Sequence, residues 1–266
     1  MTELNTGDKI LAIVEDGIGR FTINNAAKRN AMSKAMWERM GEVFDAWAND
    51  PNVRAVIVRG DGDKCFCAGN DISEFATLRN SRESIAEYHR ITDHAYGALK
   101  NIPKPTIARI EGFCIGGGLE LAMLCDIQFA ASTATFGITP AKLGLGYKLE
   151  DVTLLLENVS PKAAKELLFT GAKFSSDDAM RWGLINRVAP AGELDALVED
   201  IVRNIAGNAP LSVKAAKMII NEAIKPKADR DTSLCQELVD ACHDSADYQE
   251  GQRAFGEKRK PVFTGT

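Results

Sequence analysis

Two runs of alternating apolar residues open the chain. Ile10-Leu11-Ala12-Ile13-Val14 and Ile18-Gly19-Arg20-Phe21-Thr22-Ile23 flank Asp16-Gly17. Asp-Gly suits the positive φ angles of a two-residue turn, so the segment predicts a β-hairpin. Ser33 then stands where it can cap a helix running to about Trp47, with Met36, Met40, Val43, Phe44 and Trp47 recurring on one helical face. Val-Arg-Ala-Val-Ile-Val at 53–58 reads as a buried strand ending in a polar turn at 59–64, and residues 65–72 follow as a loop. A charged segment from about Ser81 to Leu99 predicts a helix, closed off by Pro103 and Pro105. A strand at 106–110 leads to Gly116-Gly117-Gly118, a short apolar helix at 119–125 and another strand at 127–131. From Asp151 onward the pattern is helical, with one strand near 185–188.

Strands alternating with helices over the first part of the chain predict an α/β fold. The expected organisation is an α/β core over 1–195 and an amphipathic helical region over 196–266. Hydrophobic residues make up 45% and charged residues 26% of the 266 positions, as in an ordinary soluble domain with a sizeable core. The net charge of -5 gives no support to a nucleic-acid partner. Cys65, Cys67, Cys114, Cys125, Cys235 and Cys242 form no CxxC pair and have no histidine at zinc-ligand spacing, so reduced thiols and no metal are expected. His89, His94 and His243 lie in no recognisable nucleophile motif. Met1 to Asp8 is polar and unlike a signal peptide, and no apolar run approaches the ~20 residues that span a bilayer. A cytoplasmic location without membrane attachment is expected.

The candidate chemistry lies in the glycine run. A strand-to-helix turn without side chains exposes backbone N–H groups at a helix N-terminus, where they can bind an anion or the developing oxyanion of a carbonyl. No Lys-Ser or Lys-Thr follows the glycines, and GxGxxG is not matched. By itself the run reads equally as a tight turn for close helix packing.

Phe66-Cys67-Ala68-Gly69-Asn70-Asp71-Ile72 is a second loop after a buried strand. Together with Gly116-Gly117-Gly118-Leu119-Glu120 it resembles the paired motifs F-x-A-G-x-D-(I/L) and G-G-G-x-E of the crotonase, or enoyl-CoA hydratase/isomerase, superfamily. The resemblance extends from Asn30-Ala31-Met32 to Ala254-Phe255-Gly256-Glu257-Lys258-Arg259-Lys260-Pro261. It implies the crotonase fold, a ββα spiral whose helical C-terminal region mediates a homotrimer or a dimer of trimers. It also implies an acyl-CoA substrate, with coenzyme A as part of the substrate and no separate cofactor. The N–H groups of Asn70 and Gly117 would hold the thioester oxygen. CoA would meet Lys28 or Arg29, Ala31, Ala68, Gly69, Asp71 and Ile72, with Gly116, Pro140 and Leu145 bordering the acyl group. Phe255 and Lys258 would reach CoA on a neighbouring subunit, although the same tail also reads as a solvated charged helix end.

Carboxylates around the hole select the reaction. Glu120 matches the first glutamate of the family's hydratases, and it also fits a helix-start carboxylate. In two-glutamate members a second glutamate stands in F-G-x-P-E-x-x-x-G; alignment on Phe136-Gly137 and Gly144 puts Pro140 there. Thr139-Pro140-Ala141-Lys142-Leu143-Gly144-Leu145-Gly146-Tyr147 instead resembles the methylmalonyl-CoA decarboxylase branch, where a tyrosine lies near the substrate carboxylate. Tyr147 reads there as catalytic or as a pocket wall. Glu150 and Asp151 read as helix-start carboxylates or as acids entering the site. The expected activity is a lyase hydrating a short-chain 2-enoyl-CoA. The alternatives are a methylmalonyl-CoA-type decarboxylase and a non-catalytic acyl-CoA-binding protein.

Overall fold

A computed structural model describes residues 8–74 and 81–266; of Met1 to Asp8, only Asp8 lies within the described residues. The hairpin forms as its alternation predicts, from β1 (Ile10–Glu15) and β2 (Ile18–Ile23), with Asp16 and Gly17 at φ 51° and 80° in the turn. β3 (Ala55–Gly60), β5 (Thr106–Ile110), β7 (Ile127–Ala131) and β10 (Arg187–Ala189) extend it as parallel strands in the order β1-β2-β3-β5-β7-β10.

The polar residues Arg59 and Gly60 belong to β3 and not to the turn, because they register against Thr22 and Ile23 of β2. Val56 and Val58 enter one core while Ala55 and Ile57 enter another on the opposite face. A sheet covered on both sides accounts for the unbroken apolar run.

A second, smaller sheet, β4-β6-β8-β9, consists of β4 (Cys65–Cys67), β6 (Phe113–Ile115), β8 (Thr135–Gly137) and β9 (Lys173–Ser175). The sequence pattern showed none of these strands as such. Each has three residues, too few for alternation to register. β3-β4, β5-β6 and β7-β8 thus each give one strand to each sheet, and a helix follows each of these pairs. This is the ββα spiral of the crotonase fold.

Helix α1 (Lys34–Asn49) is capped by Ser33, whose hydroxyl accepts from the Met36 N–H at 3.3 Å, and buries the expected apolar face. Helix α2 (Arg82–Asn101) starts in a Ser81–Ser84 capping box. Helix α3 (Gly117–Met123) begins two residues earlier than the apolar pattern indicated, because Gly117 and Gly118 are themselves helical. α4 (Leu149–Asn158), α5 (Pro161–Thr170) and α6 (Ser176–Arg181) follow. α7 (Leu194–Ala206) runs through the 195/196 division, and its Leu194, Val198, Val202 and Ala206 cover the far face of the large sheet. The sheet core therefore extends beyond residue 195.

Beyond it lie α8 (Pro210–Ala223), α9 (Thr232–His243) and α10 (Ala246–Gly256). Lys217 of α8 is tied to the core by Asp126 Oδ2 at 2.8 Å and the Lys104 carbonyl at 3.0 Å. The charged tail folds back on α10: Arg259 grips Glu250, and the Asp247 carboxylate accepts the Thr264 and Gly265 N–H groups. All six cysteines are free thiols, four of them buried. No helix of the described residues is long and apolar enough to cross a membrane.

Asn30 is fully buried at φ 54° and joins three segments. Its Nδ2 donates to the Asp61 and Cys65 carbonyls at 3.0 and 2.6 Å, and its Oδ1 accepts the Asn25 N–H at 3.1 Å. Asn30→Ala leaves these backbone groups unpaired and is expected to cost about 2–4 kcal/mol, read from the midpoint of urea unfolding.

Candidate active site

β4 and β6 are parallel neighbours, with Cys65 opposite Phe113 and Cys67 opposite Cys114. The loops that follow them therefore emerge side by side at the same edge of the small sheet, as ligand-binding loops of parallel sheets do. Each glycine of the run has its own physical reason. Gly116 sits at φ 56°, ψ −126°, a conformation that side chains disfavour. A Cβ on Gly118 would lie 2.1 Å from the Cys67 carbonyl oxygen, so only glycine lets α3 pack on β4. Gly117 is the first helical residue and its N–H has no intrahelical acceptor.

The partner loop is aimed by one bridge. The Met32 N–H donates to the Gly69 carbonyl at 2.8 Å, and the Asp71 N–H donates to the Met32 carbonyl at 2.8 Å. Successive peptides of an extended chain face opposite sides, so the intervening Asn70 N–H points away from Met32. Gly69, at φ 87°, brings the loop so close to the turn that a Cβ there would lie 3.1 Å from the Gly117 nitrogen. Neither the Asn70 nor the Gly117 N–H has a hydrogen-bond partner among the described residues.

Both N–H groups border a cavity of about 300 Å³. Its walls include Ala68, Gly69, Ile72, Gly116, Glu120, Pro140, Leu145 and Tyr147, the residues the family motif places around an acyl-CoA. Tyr88, His89, Thr92, Asp93 and Tyr96 of α2 form a further wall, and Asp151 lies at the start of α4. The sequence pattern showed α2 only as a charged helix and did not reveal this wall. The spacing of Tyr88 and Tyr96, two helical turns apart, was the available signal. Asp151 accepts the Lys148 N–H at 3.2 Å and also lines the cavity, so both sequence readings of it apply.

Glu120 projects into this cavity. Burial raises its pKa above the ordinary glutamate range and the Asp151 charge adds to the rise, while the Tyr147 and Tyr96 hydroxyls oppose it by stabilising the carboxylate. The Tyr96 hydroxyl donates to Glu120 Oε2 at 3.3 Å and lies 3.4 Å from the Gly117 carbonyl. Burial and the neighbouring Glu120 push the Tyr147 phenol upward, which keeps it a donor. Pro140 lines the cavity and supplies no acid or base from its segment.

Six expected CoA contacts stand outside the cavity wall. Lys28 donates to Asp71 Oδ2 at 2.7 Å and to Ser73 at 3.0 Å. That lysine, and then Ser73, hold the Asp71 carboxyl below its usual range. Lys28 and Asp71 therefore brace the loop by pairing with each other. Ala31 is buried, its carbonyl accepting from Asn25 at 2.7 Å. Arg29 faces a different cavity, beside Asp61, Lys64 and Phe113. Phe255, 88% exposed, and Lys258, at φ 56°, lie at the end of α10 and line none of this cavity.

The enoyl-CoA hydratase/isomerase family model matches residues 14–266. The chain belongs to the enoyl-CoA hydratase/isomerase family. A short-chain-enoyl-CoA hydratase of Clostridium acetobutylicum is 35% identical over 92% of this chain and 94% of its own length. A methylmalonyl-CoA decarboxylase of Escherichia coli is 33% identical over 96% of this chain and 95% of its own. Among solved structures, an enoyl-CoA hydratase/carnithine racemase of Magnetospirillum magneticum superposes with a TM-score of 0.91 at 35% identity, covering 97% and 96% of the two chains. Family membership accounts for the spiral and for the pairing of the two loops.

The electrostatics give opposite shifts for two substitutions. If deprotonated Glu120 is the working base, activity rises with pH through its pKa. Asp151→Asn keeps a capping side chain but removes the charge that raises Glu120, so the acid limb of kcat/KM is expected to move to lower pH. Tyr96→Phe removes a hydrogen bond to the carboxylate and is expected to move the limb to higher pH. Full pH–rate profiles of both variants check the signs.

Proposed function

We propose that the protein is a lyase that adds water to a short-chain 2-enoyl-CoA. The observation that carries this reading is the convergence of two unpaired backbone N–H groups, of Asn70 and Gly117, with the buried Glu120 carboxylate on one small cavity. The thioester oxygen accepts from both N–H groups, which stabilises the negative charge that develops as the thioester becomes an enolate. Glu120 takes a proton from water as the water oxygen bonds to Cβ, and a proton is then delivered to Cα. Tyr96 and Tyr147 orient the carboxylate, and the Asp151 charge raises its pKa. The polar walls and modest volume favour a short acyl chain. CoA lies across Ala68, Gly69 and Ile72, with Lys28 near its phosphates. The protein acts in the cytoplasm as a homotrimer or dimer of trimers. The exposed Ile220, Ile224 and Phe255 of the C-terminal helices support such assembly.

One observation favours a second reading. Pro140 stands in the wall where a second glutamate would, and Tyr147 lies beside Glu120. A methylmalonyl-CoA-type decarboxylase needs the enolate stabiliser but no base at Cα. Incubation with crotonyl-CoA and with methylmalonyl-CoA separates the two. Hydration of crotonyl-CoA, followed by loss of the enoyl-thioester absorbance, is the expected activity. Glu120→Gln is expected to lower its kcat about 10²- to 10⁴-fold. Hydration at the wild-type rate in that variant, or turnover of methylmalonyl-CoA alone, overturns the hydratase reading.

A further inference from the structure

Asn70 takes part in the site through its backbone, yet its side chain is also engaged. Its Oδ1 accepts the Trp37 indole N–H at 2.9 Å and the Tyr88 hydroxyl at 2.8 Å. Indole nitrogen can only donate, so this contact alone determines which end of the amide faces α1. Trp37 is fully buried on α1 and Tyr88 nearly so on α2. Neither belongs to the two loops that carry the oxyanion donors.

Trp37 also reaches the other half of the site. Its ring meets Tyr96 edge-on, with centroids 5.1 Å apart and planes at 87°. Tyr96 in turn contacts the Gly117 carbonyl and the Glu120 carboxylate. One buried indole thus touches, through one neighbour each, both oxyanion peptides and the base.

We propose that Trp37, with Tyr88, is a positioning residue that aims the Asn70 N–H at the thioester oxygen and keeps it in register with Gly117 and Glu120. The proposal rests on the oxyanion-hole reading above. Among the described residues, the backbone groups that flank Asn70, the Gly69 carbonyl and the Asp71 N–H, are hydrogen-bonded on one side, to Met32. Rotation of the loop about its own axis would swing the Asn70 N–H off target. The side chain leaves the same Cα, so two donors gripping its oxygen from two helices oppose that rotation. An oxyanion donor works only when preset, since small misplacements of a reacting geometry are costly in rate.

The test compares wild type, Trp37→Phe and Tyr88→Phe. Both substitutions keep a ring and remove one donor to Asn70. Two readouts are taken besides melting temperature. These are the kcat and KM for crotonyl-CoA, and the absorbance of a bound conjugated dienoyl-CoA, which shifts to the red when its carbonyl is polarised. The expected result is folded variants whose kcat falls about 10- to 100-fold with KM little changed, and whose red shift is smaller than in wild type. A folded variant with wild-type kcat and an undiminished red shift overturns the proposal. If Trp37→Phe does not fold, Tyr88→Phe decides on the same criteria. Absence of any red shift in wild type sinks the oxyanion-hole reading itself, and the positioning role with it. A red shift in wild type that persists unchanged in the variants sinks the positioning role alone.

Discussion

The site depends on the contact of Gly118 with β4. Two backbone N–H groups can converge on one atom only if the chain segments that carry them touch, and here they are brought together by parallel pairing of two three-residue strands. Because Gly118 has no Cβ, α3 can start against the Cys67 carbonyl. Gly117 is then presented beside Gly69, and the Glu120 side chain falls into the same cavity. A side chain at Gly118 would push the helix from the strand and separate the three elements together. The rest of the small sheet, and the hydrogen bonds of Asn30 and Met32, keep this one approach close.

Leaving polar groups unpaired in a cavity is unfavourable, at about 1–3 kcal/mol for a buried donor, so such groups persist where the surrounding structure holds them. The same applies to Glu120. Burial and Asp151 disfavour its charge, and two tyrosine hydroxyls restore part of the stability of the charged form. A carboxylate raised in this way keeps its proton to a higher pH than an exposed glutamate would. Lys28 and Asp71 illustrate the opposite case, a carboxylate made a firm anion by its cation and used to brace the loop.

The first five strands of the large sheet were legible because they are long enough to show alternation or an unbroken apolar run, and the hairpin because Asp16-Gly17 is a turn pair. The small sheet was not, since three residues carry no period. In the site, Gly117, Asn70 and Glu120 stood out because glycine runs and a motif-spaced carboxylate are local features. Trp37 was not among the positions that the apolar pattern picked out on α1, and Tyr88 and Tyr96 stood within a charged helix. Their contacts come from side chains meeting across α1, α2 and the loop, which no local pattern encodes. Phe255 and Lys258 stand apart from this chain's cavity for a related reason, as their helix end projects outward.

By itself the sequence determined the α/β class, the family, both loops of the paired motif and the carboxylate beside them. Each of these follows from residue types at short spacing, where turn chemistry and the absence of a Cβ act locally. Only the tertiary structure decided that Asp151 shares the cavity with Glu120. It alone paired Lys28 with Asp71 and set Trp37 behind Asn70. These relations join residues far apart in the chain, and they depend on how the spiral stacks its turns.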